Sequence, residues 1–237
     1  MMCRKYCRNL WPRSLQGPCP TPVAGTDVLV IGGAVGDAFG VRAKNSDQQV
    51  FADVRSVEKQ VCSGKINRIN GICPGAYLLL SDCHKARIFQ VGSIDSSGVI
   101  THPTSGPKPG NKEATWGGAG APESGRFDTD SEFIRYRTAL YYIALNPDGE
   151  PALYRKTSGK SAQELAAGVA DLQIRYGEGT KVTAVRIWVL LRGSTYKLAV
   201  AEPTYPDQDG TRVIATDSQR RLHEAFALTV GLRNRLP

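Results

Sequence analysis

No run of about 18 or more apolar residues occurs anywhere in this sequence, so no segment has the length of a membrane-spanning helix or the apolar centre of a secretory signal. Methionine and histidine are scarce. With 2 Met and 3 His among 237 residues, neither a methionine-lined groove nor a histidine-rich metal centre can be built. The histidines, His84, His102 and His223, have no second histidine at ligand spacing, and the close pair Cys3 and Cys7 has no matching pair to complete a zinc set. No cofactor or metal is therefore expected. Acidic residues are missing from residues 1–22, where Arg4, Lys5, Arg8 and Arg13 carry half of the net charge of +8. Beyond that segment Lys and Arg are scattered among acids, as on a solvated surface and not as a stripe that tracks phosphates, which makes nucleic acid a disfavoured partner.

What is present is enough for a core: 41% of the residues are apolar. Gly 25 and Pro 14 point to many loops. Apolar pieces are short and separated by polar turns, the pattern of antiparallel strands. They include 28–31, 77–80, 88–91, 133–136 and 139–145, with Asn146-Pro147-Asp148-Gly149 as a turn and 152–155 as the returning arm of a hairpin. In 182–192, Val185, Ile187, Val189 and Leu191 fall on one side and Arg186, Trp188, Leu190 and Arg192 on the other, so the first set is expected to be buried. Phe226, Leu228, Val230 and Leu232 repeat that pattern. A helix is expected over 161–170, where Gln163, Glu164, Leu165, Ala166 and Ala167 favour it and Gly168 could stop it. The fold class read from these patterns is α+β, predominantly antiparallel β. Residues 1–22 form an irregular basic leading segment and residues 23–237 a β-rich head with a long Gly/Pro-rich loop at 101–126.

Several stretches resemble chemical motifs and fail in detail. DVLVIGGAVGDAFG at 27–40 has a strand followed by glycines, but counted from Gly32 the third and sixth positions are Ala34 and Asp37, and counted from Gly33 they are Val35 and Ala38. A strand followed by a flexible turn is the expectation there. Ser158-Gly159-Lys160-Ser161 has Leu153 or Tyr154 where a phosphate loop needs its upstream glycine. Cys83 and His84 are adjacent, so on a strand they point to opposite faces and cannot share a proton; a bridged or packed Cys83 beside an exposed His84 is expected. His102 is placed at the mouth of the long loop, bonded to loop backbone. Asp128, Asp130 and Glu132 share a face if that segment is extended, and Tyr136, Tyr141, Tyr142, Tyr154 and Tyr176 belong to the sheet and its rim. No catalytic residue is named.

The body cysteines suggest an oxidising compartment. Cys62 and Cys73 bracket the polar segment SGKINRINGI, Cys83 could replace either partner, and Cys19 could serve as a fourth member so that two bridges form.

At SDC 81–83, IFQV 88–91, His102, Gly110-Asn111, YYI 141–143, LYR 153–155, ELAAGVADLQIRYG 164–177, VTAVRIWVLLR 182–192 and TVGLRNR 229–235, the chain resembles the PilW family of type IV pilus assembly proteins, in order from Gly25 to the end. The block 164–192 followed by TVGLRNR is the specific part. The resemblance implies a pilin-like globular head, a minor pilin without enzymatic activity, and other minor pilins and the major pilin as partners. It also implies a place in the cell envelope, at the periplasmic face of the inner membrane or on the pilus surface or tip. Family members carry a basic leader, a processing site and a hydrophobic N-terminal helix. None stands at the start of this sequence, so the expectation is a soluble head that folds but is anchored and assembled only when such a helix is restored. A DNA- or glycan-binding envelope module and a hydrolytic enzyme with an unrecognised site are the alternatives, and they require converging basic or tyrosine side chains, or a clustered acid, base and nucleophile.

Overall fold

The computed structural model describes residues 19–107, 110–158, 160–177, 182–215 and 219–232. Cys3, Cys7 and the four basic residues of the leading segment lie outside them, as do Gly159 and residues 233–235 of the TVGLRNR stretch. The chain divides into two compact units, one of residues 32–138 and one drawn from residues 1–31 and 139–237.

Nine strands come first in chain order: β1 (Leu29–Ala43), β2 (Gln49–Ala52), β3 (Val57–Cys62), β4 (Ile66–Ile69), β5 (Tyr77–Ser81), β6 (Ala86–Gln90), β7 (Ser93–Ile94), β8 (Val99–Thr101) and β9 (Glu132–Leu145). The chain leaves one unit for the other inside β1 and returns inside β9. In the 32–138 unit the strand order is β9-β1-β2-β8-β7, β5 adds to β9 and β6 to β5, and β3 with β4 forms a hairpin of its own. The period of two along these strands sends Phe39 and Val41, Val50 and Ala52, and Leu78 and Leu80 into one buried cluster with Phe89, Ile100, Trp116, Phe127 and Phe133.

The first strand does not give way to a turn at its glycines, as the sequence suggested; it runs through them. A Cβ at Gly32 would stand 2.0 Å from the Tyr136 hydroxyl, and Gly36 has φ +78° with Arg135 Nη2 2.4 Å from where its Cβ would be. These glycines let two β9 side chains cross the strand, a close approach that a sequence cannot reveal.

Cys62 and Cys73 are joined by a disulfide, with 5.6 Å between Cα atoms, and it closes the β3–β4 hairpin. Just before and at the hairpin's end Ile69 and Ile72 are fully buried. Cys83 takes no part: it is a free thiol, exposed at the β5–β6 turn with φ +70°. Cys19 is disulfide-bonded, but not to Cys62, Cys73 or Cys83. The expected set of two bridges among Cys19, Cys62, Cys73 and Cys83 is therefore corrected to one, because Asp82 folds the chain into a tight turn that turns Cys83 outward. Asp82 Oδ1 accepts the backbone N–H groups of His84 (3.1 Å) and Lys85 (2.9 Å).

The second unit continues with β10 (Pro151–Thr157), β11 (Gln163–Ala167), β12 (Val169–Tyr176), β13 (Ala184–Arg192), β14 (Thr204–Pro206), β15 (Arg212–Ile214) and β16 (His223–Gly231). The Asn146–Glu150 turn forms the hairpin read from its sequence: Asn146 Oδ1 accepts N–H from Asp148 (3.1 Å) and Glu150 (3.0 Å), and β10 pairs with β9 from Leu145↔Pro151 to Ala139↔Thr157. The second half of β9 is covered on both faces. Leu140, Tyr142 and Ala144 pack with Cys19, Ala152 and Tyr154, whereas Ile143 packs with Val169 and Leu172.

The helix expected over 161–170 is absent; β11 and the start of β12 occupy it. Only five good formers precede Gly168, which takes φ +78°, and so short a run cannot nucleate a helix alone. Pairing of Ala152 with Ala167 and of Arg155 with Gln163 offers its backbone a ladder instead. Among the described residues no helix reaches seven residues, and the α+β expectation gives way to a nearly all-β fold of open antiparallel sheets. None of the described helices is long and apolar enough to cross a membrane.

Strands β12, β13 and β16 form a three-stranded antiparallel sheet in that order. In β13 the period of two matches the sequence reading, but the buried members are Trp188 and Leu190, whereas Val185, Ile187 and Val189 are half-buried and Leu191 is exposed. Tyr205, on the β14–β15 hairpin, lies over Trp188 with ring centroids 6.1 Å apart. On the other face, Ile187 and Val189 are half-covered by the Ile143 cluster. Phe226, Leu228 and Val230, expected to be buried, are 54%, 63% and 41% exposed.

Candidate functional site

The long loop between β8 and β9 carries a groove of about 550 Å3 in the 32–138 unit. Its wall is the run Gly117–Pro122, and its floor and rim include Trp116, Arg87, Glu113, Asp47 and Ser46. The loop has few apolar residues, and three amide side chains fasten it. Asn45 donates from Nδ2 to the Gly125 carbonyl (2.9 Å) and accepts from the Phe127 N–H (2.9 Å), bonds that span some eighty residues of sequence. Asn111 donates from Nδ2 to the Gln90 (2.7 Å) and Pro103 (3.0 Å) carbonyls and accepts the Gln90 N–H (2.6 Å), and Gln90 Oε1 accepts the Gly110 N–H (2.8 Å). Each bond satisfies a backbone group that burial would otherwise leave unpaired.

These anchors seat Trp116 in the core. Its indole stacks on the His102 ring (centroids 4.2 Å apart, 23° between planes) and meets Phe89 at 5.5 Å and Phe127 at 6.1 Å. On the groove side the Arg87 guanidinium, carried by β6, lies 4.7 Å from the indole centroid and pairs with Glu113 at 3.2 Å. Outside the groove lining, Lys85 pairs with Asp82 and reaches Glu123 at 3.5 Å; its bond holds the Asp82 carboxyl below the usual carboxylate range. The glycine wall is obligatory at Gly117, where φ is +104° and a Cβ would stand 2.0 Å from Asn45 Nδ2.

His102 is fully buried behind Trp116; its ring lies against the loop backbone at Ala114, as the sequence suggested, although neither ring nitrogen has a hydrogen bond of good geometry. Burial, reinforced by the nearby Arg87 charge, pushes its pKa down to about 4. The imidazole is neutral at pH 7 and separated from the groove by the indole, so it cannot exchange a proton with anything bound there. Both faces of the indole are occupied, one by His102 and one by Arg87, and the ring offers no open platform for a sugar or a base.

The other residues weighed from sequence do not converge on this groove. Cys83 and His84 are exposed at the β5–β6 tip. Asp128 and Asp130 belong to a turn closed by the Ser131 N–H on the Asp128 carbonyl (2.9 Å), and only Glu132 has entered a strand. Tyr142 and Tyr154 stack on each other at 5.9 Å, and Tyr154 donates to Glu164 at 3.2 Å. Among the described residues no group of three His, Cys, Asp or Glu is placed to hold a metal. The anchors Asn45 and Gln90 and the Arg87–Trp116 pair were not singled out from sequence. A lone tryptophan inside a Gly/Pro-rich run is the signal that could have marked Trp116.

One other ionic cluster lies in the second unit. Glu150 receives both Arg221 terminal nitrogens, at 2.8 and 3.0 Å, and also an Arg192 nitrogen. The Arg221 bond, followed by the Arg192 charge, holds the Glu150 carboxyl below its ordinary range. Arg221 is itself buried and stacks 4.5 Å from the Tyr196 centroid. Three strands' ends are tied together here, since Glu150 precedes β10, Arg192 ends β13 and Arg221 precedes β16.

Comparison with protein-family models, with curated proteins and with solved structures returned no match.

Proposed function

We propose that this chain is a structural head of the minor-pilin type, which works by packing against neighbouring subunits of a cell-envelope filament and not by chemistry. The observation that carries the reading is the β12–β13–β16 sheet. The segments of strongest resemblance, 164–192 and 229–232, contribute to this sheet, and on the face that carries Ile187 and Val189 the residues Leu191, Phe226, Leu228 and Val230 stay apolar and exposed. An apolar patch rimmed by polar residues is what a laterally packed neighbour covers. The disulfides at Cys62–Cys73 and Cys19 fit an oxidising envelope compartment. The walled-off His102 and the occupied Trp116 faces weigh against hydrolysis and against glycan or base stacking in the groove beside Trp116.

Co-purification of the full-length subunit with candidate minor pilins tests the proposal. Capture of a defined partner, lost when Phe226 and Val230 are replaced by Ser, is the expected result. A head that captures none of a full set of minor pilins removes the proposal.

A further inference from the structure

β16 is the outermost strand of its sheet, and its sequence does nothing to protect that position. Ala225-Phe226-Ala227-Leu228-Thr229-Val230-Gly231 has no charge and no proline, and it pairs with β13 over nine consecutive positions without a bulge. Edge strands ordinarily carry a lysine, a proline or a bulge that prevents further pairing. The direction of the backbone groups follows from the ladder. Leu222 and Leu232 bond toward β13, through Gly193 N to Leu222 O (2.8 Å) and Leu232 N to Thr183 O (2.7 Å). Even-numbered residues therefore face β13, and the N–H and C=O groups of Ala225, Ala227, Thr229 and Gly231 point outward. Among the described residues no backbone bond reaches them.

We propose that this edge pairs antiparallel with β16 of a second copy of the chain, joining two three-stranded sheets into one of six strands. A two-fold axis perpendicular to the sheet and passing through Ala227 or Leu228 keeps like faces together, since both centres oppose residues of the same parity. With the axis at Leu228, Ala227 opposes Thr229 and Phe226 opposes Val230, so that Phe226, Leu228 and Val230 of the two copies form one continuous apolar strip. Charge favours a second copy. Glu224 is the sole carboxylate of the strand, and in either register it opposes an apolar residue, Leu232 or Val230, never its own counterpart. The edge thus offers backbone bonds, apolar contact and no like-charge opposition to an identical strand, the ingredients of strand addition. The pairing does not depend on the filament proposal, because it uses the backbone edge and needs no other subunit.

Sedimentation velocity over a dilution series, with amide hydrogen exchange at low and high concentration, tests this on the full chain. The expected result is a dimer at tens of micromolar, of the order of micromolar Kd, with concentration-dependent protection of the Ala227 and Thr229 amides. Ala227→Pro removes an outward N–H and no β13 bond, and Leu228→Lys places a charge on the strip at an exposed position; each should weaken the dimer at least tenfold. Circular dichroism identifies any variant that fails to fold, and if Ala227→Pro fails, Leu228→Lys alone decides. A wild-type chain that remains monomeric at roughly 300 µM, as it would if the edge serves a strand of another protein, overturns the proposal. So does a dimer with an unchanged midpoint in Leu228→Lys, or one whose formation leaves the outward amides unprotected.

Discussion

Acidification from pH 7 to pH 4 should destabilise this chain, in good part through one side chain. His102 has a pKa near 6.5 when exposed in the unfolded chain and about 4 in the core behind Trp116. The folded base is thus harder to protonate than the unfolded one, and stability is fully present above about pH 6.5. It falls as the pH drops through the interval between the two values, by about 1.4 kcal/mol per unit, and levels off below about pH 4. The total over this window is about 3 kcal/mol, a large share of the 5–15 kcal/mol of a typical domain. Urea unfolding at half-unit steps of pH, followed by tryptophan fluorescence, measures it in the wild type and in His102→Phe. Phenylalanine suits the site because it adds an apolar ring against Phe89 and Trp116 and removes two nitrogens that have no good bond. The variant should lose about 3 kcal/mol less than the wild type between pH 7 and 4, while carboxylate titrations shared by both cancel. Equal losses in the two proteins would refute the assignment of His102 as a buried neutral base.

Other expectations follow from single contacts. Glu150→Gln leaves the buried Arg221 with a neutral acceptor in place of its carboxylate and should cost about 3 kcal/mol, read as a lowered thermal midpoint, whereas Glu150→Asp should recover part of it; an unchanged midpoint would show that the cluster is solvated. Non-reducing peptide mapping should return a Cys62–Cys73 linked pair with Cys83 alkylated without reduction, and the Cys62→Ser/Cys73→Ser variant should lose about 2–3 kcal/mol. Recovery of Cys83 in a disulfide to either cysteine contradicts the structure. Gly117→Ala should destabilise by about 2 kcal/mol or more and alter Trp116 emission, since its methyl group meets Asn45; native-like emission and stability would mean that the loop is free to move aside.

How much of this could be read from sequence depended on how local the cause was. The β9–β10 hairpin was legible because Asn146, Pro147 and Gly149 supply the turn themselves. The alternation in β13 was legible as a period of two, but which parity is buried was not, because Tyr205 and Ile143 come from remote segments. The false helix at 161–170 followed from side-chain preference, a weak prior that pairing with β10 overrides. The run through Gly32 and Gly36 looked like a turn because the approach of Tyr136 and Arg135 leaves no mark in that segment. The groove was foreseen as a long loop from its glycines and prolines, but its fastening by Asn45 was hidden by the eighty or so residues between the amide and the backbone it binds. His102 was noticed for its position beside Pro103, whereas its deep burial needed the fold.

That fastening has a consequence for how the protein can change over evolutionary time. Asn45, Gln90, Asn111 and Gly117 hold the loop through main-chain atoms, and main-chain atoms are the same whatever side chains accompany them. Selection for a stable fold therefore acts on these four positions and on Trp116, and leaves exposed residues such as Lys112, Ala119, Gly120 and Pro122 to drift. A lineage of such proteins would keep the fasteners while the segments between them diverge in length and composition, so that the same head could present a different face in each descendant at little cost in stability.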